Sequence, residues 1–229
     1  MITKVNIPKE YANRFLKKDS FEFGDKEKLI MLYGASGVGK TSLLELISNR
    51  HKKLGSNDSI FDENTHNQII DHTFSNKNPK IFYWRASYDT PLRNGNVVAL
   101  DNMTNTSLMI AEGRTSEGEI LSYTFKKHLE QIPNDIDVLC IDELDSGLGC
   151  HLVHTCMYYL TEWLNNHKNV QCFIGINNFH WIYLHKMIYR MDIGEFQEIN
   201  DYKEFWDLTK KISLQIFVKK RYGSDENWY

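Results

Sequence analysis

The chain has 229 residues, which suits one domain with an apolar core, and 41% of its residues are hydrophobic. Its net charge of -3 gives no overall attraction to nucleic acid, so any such contact needs a local basic patch. The four cysteines form no CxxC pair, the apolar runs are too short to span a bilayer, and the first residues lack the apolar stretch of a secretory signal. We therefore expect a reduced, cytoplasmic protein with free thiols and no membrane contact.

The predicted elements alternate between strands and helices. An apolar run over residues 28–33 ends at Gly34 and predicts a buried strand that enters a glycine turn, and residues 41–49 have helical apolar spacing. Residues 55–64 are predicted to be loop. Further strands are predicted over 81–88, 97–100, 138–141 and 170–176, and further helices over 119–130, 152–164, 181–191 and 202–211. This alternation predicts a single α/β domain over residues 1–229, with a mostly parallel central sheet flanked by helices.

Residues 34–41, Gly-Ala-Ser-Gly-Val-Gly-Lys-Thr, fit the pattern GxxxxGK[ST] of the P-loop, or Walker A motif. Glycines let the backbone turn its N–H groups toward phosphate oxygens, and the helix after the loop adds its N-terminal dipole. Lys40 is expected to reach the β- and γ-phosphates of ATP and to take part in catalysis, and Thr41 to offer its hydroxyl to Mg²⁺. The predicted nucleotide-binding residues of this segment are Gly34, Ser36, Gly37, Gly39, Lys40, Thr41 and Ser42.

Two carboxylates come directly after the apolar strand predicted over 138–141. In open α/β sheets, ligands bind at the carboxyl ends of the strands, so Asp142 and Glu143 are expected beside the phosphate loop. Asp142 is suited to hold Mg²⁺, and Glu143 is suited to act as a general base on the attacking water.

The segment over residues 141–148, Ile-Asp-Glu-Leu-Asp-Ser-Gly-Leu, resembles the Walker B motif and D-loop of ATP-binding-cassette (ABC) ATPases. Upstream, residues 114–119, Arg-Thr-Ser-Glu-Gly-Glu, resemble the signature motif of the same family. The likeness is greatest to compact, soluble ABC-like AAA ATPases of bacteria and phages. It implies an ATP hydrolase in which two chains enclose two nucleotides, with Ser116 and Gly118 of one chain donating to the γ-phosphate held by the other.

The resemblance also implies an organisation and a setting. Residues 97–130 would form a reduced helical and signature segment, and residues 200–229 a C-terminal extension. Members of the group often drive a protein partner or a nucleic-acid process of the repair or phage-defence type, so both kinds of partner are expected beside an ATP-dependent homodimer.

Three positions depart from the family pattern. Asn178 stands where a switch histidine is usual, and His180 is the alternative for that role. An amide can hydrogen-bond to a γ-phosphate but cannot carry its proton. Gly149 comes after the D-loop where aspartate is usual, and no glutamine of the kind that couples transporters comes after the strand predicted over 81–88.

Two other functions remain open: a small-molecule P-loop kinase, and a nucleotide-binding regulatory subunit with little hydrolysis. A transporter cassette is disfavoured by the missing glutamine. The Cys and His residues at 150, 151, 154 and 156 are typical of a mixed helix face rather than a metal site. Basic runs at 50–53, 126–127 and 219–221 form a nucleic-acid patch only if they converge. Adenine stacking and core packing are both open for Tyr11, Phe15, Phe21 and Phe23.

Overall fold

The computed structural model describes residues 1–9, 18–50, 63–75, 78–86, 117–145 and 148–222. The strand predicted over 97–100 and the signature serine, Ser116, lie outside these residues. Within them the helices are α1 (Lys40–Ile47), α2 (Glu63–Ile69), α3 (Glu117–Gln131), α4 (Cys150–Asn166) and α5 (Tyr202–Tyr222), with a 3₁₀ helix at Phe179–Tyr183.

Nine strands of the described residues form two sheets. The strands are β1 (Ile2–Asn6), β2 (Ser20–Glu22), β3 (Leu29–Tyr33), β4 (Ile70–His72), β5 (Ile81–Arg85), β6 (Val138–Asp142), β7 (Gln171–Ile176), β8 (Met187–Arg190) and β9 (Glu195–Glu198). The larger sheet has the order β5-β6-β7-β3-β8-β9 and is parallel except for β9. The smaller sheet, β2-β1-β4, is antiparallel. The predicted α/β class with a mostly parallel central sheet is confirmed.

The central strands β6 and β7 are buried along their whole length. Such strands carry continuous apolar runs because both faces of a parallel sheet are covered. On one face, Ile141 and Ile174 pack with the core under α3, α4 and α5. On the other face, Cys140 and Phe173 pack with α1 and the small sheet. The alternation of side chains along each strand therefore divides the core into two layers.

The small sheet decides the role of two aromatic residues. Phe21 and Phe23 are both 2% exposed, and the Phe23 ring lies 5.0 Å from Phe173 and 4.8 Å from Tyr189. Of the two alternatives that the sequence left open, core packing is therefore correct for this pair. Tyr11 and Phe15 lie outside the described residues.

The helix predicted over 181–191 is wrong. A 3₁₀ helix ends at Tyr183, and residues 187–190 form β8, which pairs in parallel with β3. Ile188 and Tyr189 are both fully buried, on opposite faces of the sheet, whereas a surface helix exposes part of its circumference. The loop predicted over 55–64 extends too far, since α2 begins at Glu63 and leads directly into β4. In the described part of the chain no helix is both long and apolar enough to cross a membrane.

Candidate active site

The phosphate loop joins the carboxyl end of β3 to the first residue of α1. Gly37 and Gly39 adopt φ values of 80° and 101°. Side chains disfavour this left-handed region, so the glycines permit the turn that brings the loop back to the helix. The N-terminus of α1 has no side-chain cap and no acidic residue in its first turn. Its N–H groups and positive dipole end are therefore suited to bind an anion.

Lys40, the first residue of α1, lies over this loop. Its ammonium group donates to the carbonyl oxygen of Gly34 at 2.6 Å and to that of Ala35 at 3.4 Å. Burial lowers the pKa of Lys40, and the nearby carboxylates of Asp145 and Asp142 act in the opposite direction. The structure thus brings the predicted lysine and the predicted metal-binding aspartate into one electrostatic environment.

Asp142 ends β6 and is only 3% exposed. Burial raises the pKa of this carboxyl, while hydrogen bonds from the Thr41 and Tyr83 hydroxyls and the charge of Arg85 lower it. The Tyr83 bond measures 3.3 Å. Space for the carboxylate comes from β7, because a Cβ atom at Gly175 would lie 3.2 Å from Asp142 Oδ1. Thr41 and Asp142, predicted as metal ligands, are therefore in contact, and their hydroxyl and carboxylate oxygens are the donors that Mg²⁺ prefers.

Glu143 comes directly after Asp142 and has a φ of 57°, in the left-handed region. Residues with side chains adopt this region at a cost, and such residues cluster at functional sites. Its carboxylate oxygen Oε1 accepts from Arg85 Nη2 at 2.9 Å. The same guanidinium faces Glu45 Oε1 at 3.4 Å and Asp142 Oδ2 at 3.5 Å.

Sequence reasoning did not identify Arg85, Tyr83 or Glu45 as part of this site. Arg85 and Asp142 are register partners at the ends of β5 and β6. The available signal was therefore positional: an arginine that ends a strand adjacent to the acidic strand must lie beside the acids. Using it requires the strand order, which the sequence does not state.

Asp145 connects the loop after β6 to the segment after β7. It is buried, and its Oδ2 accepts from the backbone N–H groups of Asn177 and Asn178 at 2.6 and 2.7 Å and from Trp181 Nε1 at 3.1 Å. A single carboxylate therefore fixes the start of the segment that carries both predicted switch residues. The sequence placed Asp145 in the D-loop without giving it a role.

The two switch candidates have local partners. The Asn178 side chain accepts from His180 N at 3.0 Å and so caps the 3₁₀ helix. The ring nitrogens His180 Nδ1 and His154 Nε2 lie 3.0 Å apart, and burial together with His154 lowers the pKa of His180. Both residues thus lie on the segment held by Asp145.

The other predicted positions are more widely spread. Gly118 falls in the first turn of α3, while Ser116 lies outside the described residues. The assignment of both residues to a signature motif stays a prediction. Along α4, Cys156 is buried and Cys150 is exposed. Among the residues that the structure describes, no group of three or more His, Cys, Asp or Glu side chains is arranged to hold a metal ion.

Comparison with known proteins gives one family match. A family model described as an AAA domain matches residues 24–181, which include the phosphate loop, Asp142, Glu143 and the switch segment. No curated protein sequence matches the chain.

Several solved structures are similar in fold. The ATP-binding cassette MJ0796, in a dimeric post-hydrolysis state bound to ADP and Pi, is 13% identical with a TM-score of 0.47, covering 88% of this chain and 97% of its own. A second dimeric structure of MJ0796, described as a bacterial ABC transporter cassette, is 14% identical with a TM-score of 0.49. The match covers 88% of this chain and 99% of the cassette. The protein cbiO1 from Clostridium perfringens, part of the ABC transporter complex cbiONQ, is 15% identical with a TM-score of 0.48. The match covers 97% of this chain and 94% of cbiO1.

Proposed function

The chain belongs to the AAA domain family, and we propose that it binds ATP with Mg²⁺ and hydrolyses the bond to the γ-phosphate. One observation carries this proposal: Lys40 and Thr41 at the start of α1 lie beside the buried Asp142, with Glu143 next in sequence. A phosphate-binding loop, a metal-binding pair and a candidate base are the parts that phosphoryl transfer to water requires.

In the proposed reaction, the phosphate loop and Lys40 bind the nucleotide. N–H groups at the start of α1 would donate to phosphate oxygens. The Lys40 ammonium, which donates to the Gly34 carbonyl at 2.6 Å, would turn to the same oxygens. Thr41 and Asp142 would hold Mg²⁺, which supplies positive charge beside the phosphate oxygens. The contact between Thr41 and Asp142 supports this assignment.

Glu143 is the proposed general base. The oxygen of a water molecule forms a bond to the γ-phosphorus while the bond from that phosphorus to the bridging β–γ oxygen breaks. The proton of the water passes to the Glu143 carboxylate, and ADP and inorganic phosphate leave. The left-handed backbone of Glu143, directly after the buried Asp142, supports a functional constraint at this residue.

We further propose that the chain forms an ATP-bridged homodimer, in which Ser116 and Gly118 of one copy close on the γ-phosphate bound by the other. The start of α3 at Glu117 supports this proposal, because a helix N-terminus beside Gly118 suits an anion. The chain would use this closure to drive a protein partner or a nucleic-acid process, as the family resemblance implies.

A nucleotide-binding regulatory subunit with little hydrolysis is the second candidate. It is favoured by the switch segment, where the side-chain oxygen of Asn178 already accepts from His180 N and the His180 ring pairs with His154. Turnover number separates the two candidates, because both bind nucleotide at the same loop.

The test is ATP binding and phosphate release by wild type, Lys40→Ala and Glu143→Gln with Mg²⁺. We expect K40A to weaken ATP binding at least about tenfold, since it loses a charge-assisted contact to phosphate. We expect E143Q to bind ATP as wild type does and to lower turnover by about 10²- to 10⁴-fold, the usual contribution of a general base. Wild-type turnover as slow as that of E143Q would favour the regulatory subunit, and undiminished turnover in E143Q would exclude Glu143 as the base.

A further inference from the structure

We propose that Arg85 is a positioning residue for the general base: its guanidinium holds the Glu143 carboxylate in the orientation from which it accepts a proton. The inference rests on the proposed hydrolytic function and deepens it, since Arg85 belongs to no motif that the sequence displays. The contacts of this one side chain reach α1, the end of β6 and the residue directly after it.

A different nitrogen of Arg85 lies within ion-pair distance of each of three carboxylates. Nη2 lies 2.9 Å from Glu143 Oε1, Nη1 lies 3.4 Å from Glu45 Oε1, and Nε lies 3.5 Å from Asp142 Oδ2. A guanidinium is planar and rigid, so the ion pair of Nη1 with Glu45 on α1 restricts the direction in which Nη2 points. The place of the Glu143 carboxylate is thereby set relative to α1.

Burial makes these contacts more than a surface ion pair. The Arg85 side chain is 16% exposed, against 4% for Asp142 and 30% for Glu143. Exposed ion pairs contribute little because solvent screens them, whereas a largely buried guanidinium that meets several carboxylates holds a defined geometry. The arrangement is therefore suited to orientation of the acids.

The backbone of Glu143 gives a reason for such a contact. With φ of 57°, this residue is in a conformation that persists only where its surroundings hold it. The ion pair to Arg85 engages the oxygen Oε1. A carboxylate has two oxygens with several acceptor positions, so Glu143 can stay paired through one oxygen and accept a water proton on the other.

The experiment measures kcat and KM for ATP hydrolysis in wild type, Arg85→Gln, Arg85→Lys, Glu143→Gln and the double variant R85Q/E143Q. We expect R85Q to lower kcat by about 10- to 100-fold, the effect of misplacing a reacting group by about an ångström. KM for ATP should change by less than about threefold, because Arg85 acts on the base and not on uniform nucleotide binding. R85K keeps the charge but has one nitrogen for three carboxylates, so its kcat should stay closer to R85Q than to wild type.

The double variant tests whether Arg85 acts through Glu143. If it does, R85Q/E143Q should be no slower than E143Q alone, because the base that Arg85 positions is already gone. Lys80 supplies the matched control: it precedes the same strand, at the other end from Arg85, and forms an exposed ion pair with Asp135. Lys80→Gln should retain wild-type kcat. Wild-type kcat in R85Q, or effects of R85Q and E143Q that multiply in the double variant, would overturn the proposal.

A second measurement separates failure of this inference from failure of the proposed function. If wild type binds ATP but releases no phosphate, hydrolysis is excluded. Urea unfolding of the same variants then tests whether Arg85 holds the Glu143 carboxylate. The shift in urea midpoint of R85Q/E143Q should then differ from the sum of the two single shifts, since the residues are in contact. Additive shifts would show that Arg85 does not hold Glu143.

Discussion

At the scale of single residues, the candidate site combines the buried carboxylate of Asp142 with the part-buried ammonium of Lys40. Glycine at position 175 of β7 leaves room for the buried Asp142 carboxylate, because a Cβ atom there would lie 3.2 Å from Asp142 Oδ1. The same burial raises the pKa of Asp142, and so does the Glu143 carboxylate, while Thr41, Arg85 and Tyr83 offset part of that effect. A divalent cation binds the ionised carboxylate, so cation binding would favour that form.

His66 supports the phosphate-binding helix, α1, from its other end. Its Nε2 lies 2.9 Å from the Leu46 carbonyl oxygen and 3.1 Å from that of Ile47, so the nitrogen carries the proton and donates to the last turn of α1. Carbonyls of a last turn lack the usual partner four residues on, and here the Leu46 carbonyl also accepts from the Asn49 N–H at 3.3 Å. His66 thus satisfies groups at the C-terminus of the helix whose N-terminus is suited to bind phosphate.

This contact predicts a pH effect on stability. Burial lowers the pKa of His66 below 6.5, so folding favours the neutral ring, and its stabilisation is present above pH 6.5 and lost as the pH falls through the folded pKa. We expect the free energy of unfolding of wild type to decline over that interval more than that of His66→Gln, which donates to the carbonyls without titrating. His66→Ala should cost about 0.5–1.5 kcal/mol at about pH 7.5, since the two carbonyls lose the hydrogen bond from the ring. Urea unfolding from about pH 5 to 8 measures both effects, and parallel curves for wild type and H66Q would contradict the assignment.

Most of the proposed catalytic residues could be predicted from the sequence because their order along the chain is itself the signal. Lys40 and Thr41 come after a glycine loop, and Asp142 ends an apolar run, so strand, loop and helix place them at one edge of the sheet. Arg85 could not be predicted in the same way. Its role depends on β5 lying next to β6, a long-range pairing that no local pattern records.

At the scale of elements, the loop after β6 and the segment after β7 form one unit through Asp145. Its carboxylate accepts two backbone N–H groups and the Trp181 indole, and it lies close enough to Lys40 to act on the pKa of that residue. Asp145 therefore holds the segment that carries Asn178 and acts electrostatically on the lysine of the glycine loop.

Asp145→Ala tests this connection. The methyl side chain has no acceptor, so the two backbone N–H groups lose the carboxylate oxygen to which they donate. We expect a loss of about 1–3 kcal/mol in the free energy of unfolding, the cost of unsatisfied buried donors. Amide hydrogen exchange should accelerate at residues 177 and 178 before it does in the central strands. Unchanged exchange at these two amides would show that the carboxylate does not hold the segment.

Two of the strands that the sequence missed, β8 and β4, share a physical cause. β8 has four residues, and the apolar residues before it in the 3₁₀ helix extend an apparent helical spacing into the strand. β4 has three residues, too few to show an alternation. Both strands are defined by their partners, β3 and β1, and not by a pattern of their own.

At the scale of the whole molecule, the parallel sheet separates two cores and presents the ends of β3, β5, β6 and β7 at one edge. The phosphate loop, the acidic pair and the switch segment all lie at or directly after these strand ends. Single-domain organisation, with a reduced helical segment over 97–130 and an extension from 200, remains a prediction. Within that extension, α5 contributes Phe205, Leu208 and Ile212 to the core.

The position of the site at one edge of the sheet is relevant to the proposed dimer. A loop that binds one side of a triphosphate leaves the γ-phosphate open to a second group, and the segment at 116–118 of another copy is the group that we propose. If this is correct, ATP stabilises the dimer in proportion to its affinity, and hydrolysis releases it. A variant that binds ATP without cleaving it should therefore accumulate as a dimer.

Light scattering of Glu143→Gln, with and without ATP and Mg²⁺, decides whether nucleotide bridges two chains. We predict a mass of about twice the 26.9 kDa of a single chain in the presence of both, and the mass of one chain when either is left out. Lys40→Ala should remain at the mass of one chain throughout, because it lacks the phosphate contact on which closure depends. An E143Q protein that binds ATP and Mg²⁺ yet keeps the mass of a single chain would contradict the ATP-bridged dimer.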